Sequence, residues 1–148
     1  MADWKERIVV DDEGLRAILR EAKTVAVLGA KAHVSQAAYY VPAYLAAHRY
    51  RIMPVNPTLE GQRLFGRPVV PTLADLDGPA DVIEVFRRPE HLPGHAREIL
   101  ALPWKPKAVW FQLGIRNDDA AELLARSDIR VVQNRCMMPE HRRLLAGG

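Results

Sequence analysis

Two hydrophobic rhythms alternate along the chain. From Asp11 to Ala22, the residues Leu15, Ile18, Leu19 and Ala22 fall at i, i+3, i+4 and i+7, one face of an amphipathic helix with acids in its first turn. Thr24 to Leu28 is a run of β-branched and apolar residues stopped by Gly29, which predicts a buried strand. Ser35 to His48 is helical in pattern, but Pro42 lacks an N–H and fits without strain only in a first turn. That helix is therefore expected to start near Tyr39 or Tyr40, leaving Ala30 to Ala38 as a long loop. Arg51 to Val55 reads as a second strand, ended by Asn56 and Pro57. A connector with Gly61, Gly66 and Pro68 leads through Val69 and Val70 to a turn or short helix at Thr72 to Leu76. Asp81 to Phe86 is a third strand, Pro89 to Leu102 a helix, and Ala108 to Leu113 a fourth strand. Asp118 to Ser127 is a helix, Arg130 to Gln133 a fifth strand, and Pro139 to Leu145 a closing helix.

Apolar strands alternating with helices indicate a parallel sheet covered on both faces. The expected fold is a three-layer, doubly wound Rossmann-like α/β fold with a five-stranded, mainly parallel sheet of order 3-2-1-4-5. No repeat or Ser/Gly-rich linker interrupts the chain, so residues 1–148 read as one domain, with a core of about 23–141 and an N-terminal helix of about 11–22. No apolar stretch approaches the roughly 20 residues of a membrane span, and Met1 to Asp12 mixes acids with bases, unlike a secretory leader. The expectation is a cytoplasmic protein without a membrane partner. A formal charge of +3, with 18 acids interleaved among 21 bases, does not call for nucleic acid. One cysteine excludes an internal disulfide, and five scattered histidines show no structural-zinc spacing. His91 and His95 are one turn apart, but no third ligand accompanies them, and no metal is implied.

Ligands of doubly wound sheets bind beyond the carboxyl ends of the strands, so those ends carry the candidate chemistry. After the first strand, Gly29-Ala30-Lys31-Ala32-His33-Val34-Ser35 offers a glycine turn and donors suited to phosphate, though a lone glycine serves an ordinary turn as readily. The second strand ends in Asn56-Pro57, and no acid occurs between Glu21 and Glu60, which disfavours a nicotinamide dinucleotide. Asn56 suits a ribose or base, or simply a turn that stops the strand. The third strand delivers Phe86-Arg87-Arg88, a ring and two cations that would hold adenine and phosphates or would be a core residue beside a solvated pair. The fourth ends in Gln112-Leu113-Gly114, either a ligand contact or a buried amide tied to a loop. The fifth leads to Asn134-Arg135-Cys136-Met137. Cys136 as a nucleophile needs a base, and spacing to His141 alone shows none. A buried or ligand-edge thiol is the alternative.

Taken together, Val27-Leu28-Gly29-Ala30, Val55-Asn56-Pro57, Asp81 to Pro89, Val109 to Gly114 and Asn134 to Met137 resemble the stand-alone CoA-binding proteins. These are similar to the N-terminal domain of the succinyl-CoA synthetase alpha subunit, and the likeness runs from about Lys23 to His141. The resemblance implies coenzyme A or an acyl-CoA as ligand, held without catalysis. By position it assigns Gly29, Ala30 and Ser35 to the phosphate loop and Asn56 and Pro57 to the nucleotide border. It matches Phe86, Arg87, Arg88, Gln112 and Gly114 to the segments after the third and fourth strands. Lys31 stands where the family often has serine, removing a hydroxyl and adding charge; Val34 and Tyr40 flank the same loop as further candidate contacts. The synthetase's phosphorylated histidine lies in a second domain, so ligase activity is not expected here. The alternatives are a CoA-dependent transferase or thiol enzyme using Cys136, and a nucleotide-sensing regulator. Trp4, Trp104 and Trp110 are candidates for an interface in a homo-oligomer or with an unidentified protein partner.

Overall fold

In the computed structural model, residues 3–145 are described. Five parallel strands form one sheet: β1 (Thr24–Leu28), β2 (Arg51–Val55), β5 (Val82–Val85), β6 (Ala108–Phe111) and β7 (Arg130–Val132). A small antiparallel hairpin, β3 (Arg63–Leu64) and β4 (Arg67–Pro68), lies in the connector after β2. The helices are α1 (Asp12–Glu21), α2 (Ala37–Ala47), α3 (Leu92–Leu100), α4 (Asp118–Arg126) and α5 (Met137–Leu144). This is the doubly wound Rossmann-like class expected from the alternation of elements.

Each strand is buried nearly end to end, and its successive side chains serve opposite faces. Val25, Val27, Ile52, Val82 and Trp110 pack with Leu15, Ile18, Leu19, Val41, Leu45 and Met137 of α1, α2 and α5. Ala26, Leu28, Ile83, Val85, Val109 and Phe111 pack with Leu92, Ala96, Ile99, Ala121 and Leu124 of α3 and α4. The amphipathic stripes of the helices thus close a three-layer sandwich. Tyr50 ties two elements of the first layer: its hydroxyl donates to the Leu19 carbonyl at the end of α1, and burial pushes the phenol up to about 12.

The strand order is β2-β1-β5-β6-β7. The Asp81–Phe86 strand therefore lies beside β1, not outside β2 as an order of 3-2-1-4-5 counted on the five long strands requires. The place outside β2 is taken by Val70, which forms a one-residue parallel bridge with Val55; the Asn56 amide donates to the Val70 carbonyl at 2.9 Å. Counting this stub as the third rank restores the 3-2-1-4-5 pattern and adds β7 at the far edge. Only Val69 and Val70 have strand character before Pro71, which cannot extend a ladder, so the rank stops after one bridge.

A second difference concerns α2, which begins at Ala37 with Pro42 inside it rather than near Tyr39 or Tyr40. A helical proline leaves the carbonyl four residues earlier without its amide. Here that carbonyl belongs to Ala38, and it accepts instead from the backbone N–H of Lys31 at 3.2 Å. The lost helical bond is replaced by one that anchors the loop after β1.

One charged residue lies wholly inside the sheet. Glu84, paired in register with Val27 and Trp110, is buried, and neither carboxylate oxygen has a hydrogen-bond partner. Burial pushes its pKa up to about 8, because the charged form loses its water. A folded-state value above the unfolded one means the folded chain holds this proton more tightly, so its stabilising share is complete at acid pH and is lost as pH rises toward about 8. Chemical denaturation of the wild type and Glu84→Gln at about pH 5 and about pH 9 is expected to show the variant gaining on the wild type as pH rises, by up to a few kcal/mol. Parallel pH profiles would contradict a buried, unpaired carboxyl.

Candidate functional site

The carboxyl ends of β1, β5 and β6 open onto a cleft of about 500 Å³. Its geometry begins with Gly29, whose φ of +93° is a left-handed conformation that favours glycine. A Cβ there would stand 2.6 Å from the Phe86 carbonyl oxygen and 3.3 Å from Arg87 Nε. The ends of β1 and β5 therefore approach closely enough only because position 29 has no side chain.

Asn56 locks the neighbouring turn. It is buried, its Nδ2 donates to the Ala30 carbonyl at 2.7 Å, and its Oδ1 accepts from the Thr58 amide at 2.9 Å and hydroxyl at 2.8 Å. Of the two readings open at this residue, the structure shows the turn: its polar atoms are engaged within the protein. Pro57 follows as the first residue of a short 3₁₀ turn. Ala30 is fully buried, Val34 is 66% exposed, and the Ser35 hydroxyl bonds His33 Nδ1 at 2.7 Å. None of Asn56, Pro57, Ala30, Val34 and Ser35 lines the cleft.

Lys31, Tyr40, Phe86, Arg87, Arg88 and Gln112 do line it. The three cations thus converge although 55 residues separate Lys31 from the Phe86 segment. Arg87 Nε, packed beside Gly29, is buried without a hydrogen-bond partner, a donor the protein leaves unused. Gln36, at the N-cap of α2, Ala37 and Ala38 bring the first turn of that helix to the same wall. Leu113, 67% exposed, together with Ile115 and the Tyr40 ring gives the cleft an apolar side. Gln112 is buried and accepts from the Met137 amide at 3.4 Å, tying β6 to α5, and it also borders the cleft. Gly114 stands apart, its amide donating to Asn134 Oδ1 at 2.7 Å.

Gln36, Ala37 and Ala38 escape the sequence argument because Pro42 places the helix start too late; the Ala-Ala pair before Tyr39 is the signal that would have found them. Cys136, weighed in the sequence as a thiol at the ligand edge, borders the cleft and is half-buried. Burial pushes its thiol up, with the Met138 amide and Gln112 side chain opposing and the Glu84 and Glu140 charges reinforcing the rise. His141 has a different partner. Its Nδ1 is 2.9 Å from the Tyr44 hydroxyl in the α2–α5 packing, and burial lowers its pKa.

Three cations, one of them with an unused donor, and a helix first turn beside an apolar wall fit a ligand with phosphates at one end and an uncharged arm at the other. The fold is thus a Rossmann-like domain with a cleft at its strand ends. The chain belongs to the CoA-binding-domain family, whose model matches residues 23–142. It is 32% identical over 127 residues to the uncharacterized protein YneT of Bacillus subtilis (strain 168), covering 86% of this chain and 91% of YneT. A solved structure from Thermus thermophilus, cell-free ID.343, superposes with a TM-score of 0.87 at 47% identity, covering 92% of this chain and all of that one. A hypothetical protein from Pyrococcus horikoshii OT3 gives a TM-score of 0.84 at 32% identity, covering 98% of this chain and 99% of that one. Among the described residues no helix is long and apolar enough to cross a membrane.

The close approach at Gly29 sets a measurable cost. Gly29→Ala is expected to lose about 3 kcal/mol of stability, from backbone strain plus collision with a carbonyl that cannot yield. Gly66→Ala, at φ +81° but with nothing within 4 Å of the added carbon, should lose only about 1 kcal/mol. Equal losses in urea denaturation would show that the contact with Phe86 is not the constraint.

Proposed function

We propose that the chain is a non-catalytic, cytoplasmic coenzyme A or acyl-CoA binding protein acting as one domain. In this reading, Lys31, Arg87 and Arg88 hold the phosphates and the pantetheine arm follows the wall of Tyr40, Phe86, Leu113 and Ile115. The observation that carries it is the buried, unpartnered Arg87 Nε at the rim where Lys31 and Arg88 also converge. A donor already stripped of water gives a charge-assisted hydrogen bond its full value when a phosphate oxygen arrives.

The family match to a CoA-binding domain supports the choice of ligand. So does the end of β2, where a nicotinamide dinucleotide site would present a carboxylate to a ribose and this chain has Asn56 with its side chain engaged at Ala30 and Thr58. Gly29, Ala30 and Asn56 act in this reading by shaping the loop, while Val34, Ser35, Pro57 and Gly114 remain outside the contacts.

Titration calorimetry at low salt with CoA and with NAD checks the reading. CoA is expected to give saturable heat, and Arg87→Ala and Arg88→Ala are each expected to weaken it by about tenfold to a hundredfold. No heat with CoA alongside clear binding of NAD would overturn it.

A further inference from the structure

A second cluster of titratable side chains lies away from the cleft, where α2 packs on α5. His141 is 7% exposed, its Nδ1 is 2.9 Å from the Tyr44 hydroxyl, and the Tyr44 and Tyr50 rings stand edge-on to it at 5.5 and 5.6 Å. His48 closes the group, its ring stacked on Tyr44 at 4.0 Å and meeting His141 edge-on at 5.2 Å. Its Nδ1 donates to the Tyr44 carbonyl at 2.8 Å, since a carbonyl only accepts. The Arg142 guanidinium lies over the Tyr44 ring at 4.9 Å. The other helix packed on α5 is α1, which brings Asp12 and Arg16 to it; Arg16 donates to the Leu144 carbonyl at 3.3 Å. Both nearby carboxylates are taken, Asp12 by Arg143 and Glu140 by Arg143 and Arg135. Glu84, opposite Val27 and Trp110 on the sheet face that these helices cover, has its pKa pushed up to about 8 by burial and is neutral in acid. Among these groups no ionised carboxylate is left unpaired to balance a charge on His141.

We propose that Tyr44 and His141 form an acid-sensitive clamp between α2 and α5, and that proton uptake by His141 loosens the wall these helices give the cleft and weakens ligand binding there. The second half rests on the CoA reading given above; the clamp itself does not. A neutral imidazole offers Nδ1 as an acceptor to the phenol. An imidazolium has no acceptor nitrogen, so the phenol must turn to accept, and the ring becomes a second cation beside Arg142 and a third once His48 is charged. Parting the helices returns that charge to water. Burial first, and the His48 charge second, hold His141 below the ordinary imidazole value. A folded value below the unfolded one means the folded chain takes up this proton less readily, so the clamp's share of stability is complete above about pH 6.5 and is lost as the pH falls below it. The route to the cleft runs along the helices. Tyr44 lies about two turns beyond the start of α2 and His141 about one turn beyond the start of α5, and both starts line the cleft, through Gln36, Ala37, Ala38 and Cys136. The Met137 amide joins α5 to Gln112 and the Lys31 amide joins the Ala38 carbonyl to the loop after β1, so a shift of either helix moves residues of the cleft.

Histidine ring NMR titrations of the whole chain, with and without saturating CoA, test the clamp and its coupling. In the free protein His141 is expected to titrate below about 6.5 and to move toward that value in His48→Gln. Bound CoA is expected to lower the His141 midpoint further, because a proton that weakens a ligand is by linkage weakened by it. The charge of the phosphates alone would raise that midpoint, since an anion favours imidazolium, so the sign separates coupling from direct attraction. Calorimetry at about pH 7.5 and about pH 5.5 should show the wild type losing about fivefold more CoA affinity than His141→Asn, which keeps an acceptor near the place of Nδ1. Comparing the two cancels the titration of the ligand's own phosphates. His141 titrating at or above the ordinary value would overturn the clamp, and the wild type alone gives that reading even where His141→Asn does not fold. A midpoint raised or left unmoved by bound CoA would overturn the coupling and leave the binding reading standing. No CoA binding at either pH, with His141 still titrating low, would overturn the binding reading and leave the clamp.

Discussion

The contact of Gly29 with the Phe86 carbonyl is the constraint on which the site depends. Parallel strands end in free carbonyls and amides, and two neighbouring ends can close on each other only where a side chain does not intervene. With position 29 bare, the Phe86 carbonyl closes on the first loop, and Arg87 Nε lies buried beside Gly29. Asn56 fixes the same loop from the other flank by bridging Ala30 to Thr58. The loop after β1 is thus held between two strand ends, which is how three cations remote in sequence come to share one rim.

Pro42 contributes to the same arrangement by an indirect route. Inside α2 it deprives the Ala38 carbonyl of its helical donor, and the Lys31 amide takes the vacancy. A helix with an ordinary residue at that position would keep the bond to itself and leave the Lys31 backbone unanchored. The sequence penalty of the proline and the placement of the lysine are therefore two sides of one hydrogen bond.

Glu84 breaks the pattern of the sheet. Every other residue of β5 is apolar, and a carboxyl without partners in that position weakens the fold rather than supporting it. Local rules are most often broken where function requires it. Its position on the same face of β5 as Phe86 and opposite Trp110 puts the departure on the face that leads to the cleft rather than in the opposite layer, where Ile83 and Val85 pack.

The hydrophobic rhythm by itself determined the strands, the helices and the two-faced sheet, because burial on one stripe or on both faces writes its period into neighbouring residues. It also marked the strand ends, and six residues singled out there reach one cleft. Three things were settled only in the folded chain. The rank of Val70 outside β2 rests on a single bridge, too short to register as a period. The start of α2 depends on the Ala38 carbonyl accepting from the backbone N–H of Lys31, 7 residues away, a bond no local propensity reports. The roles of Asn56, Ser35 and Gly114 turned on which way each polar group faces, and that is decided by partners brought together through the tertiary fold.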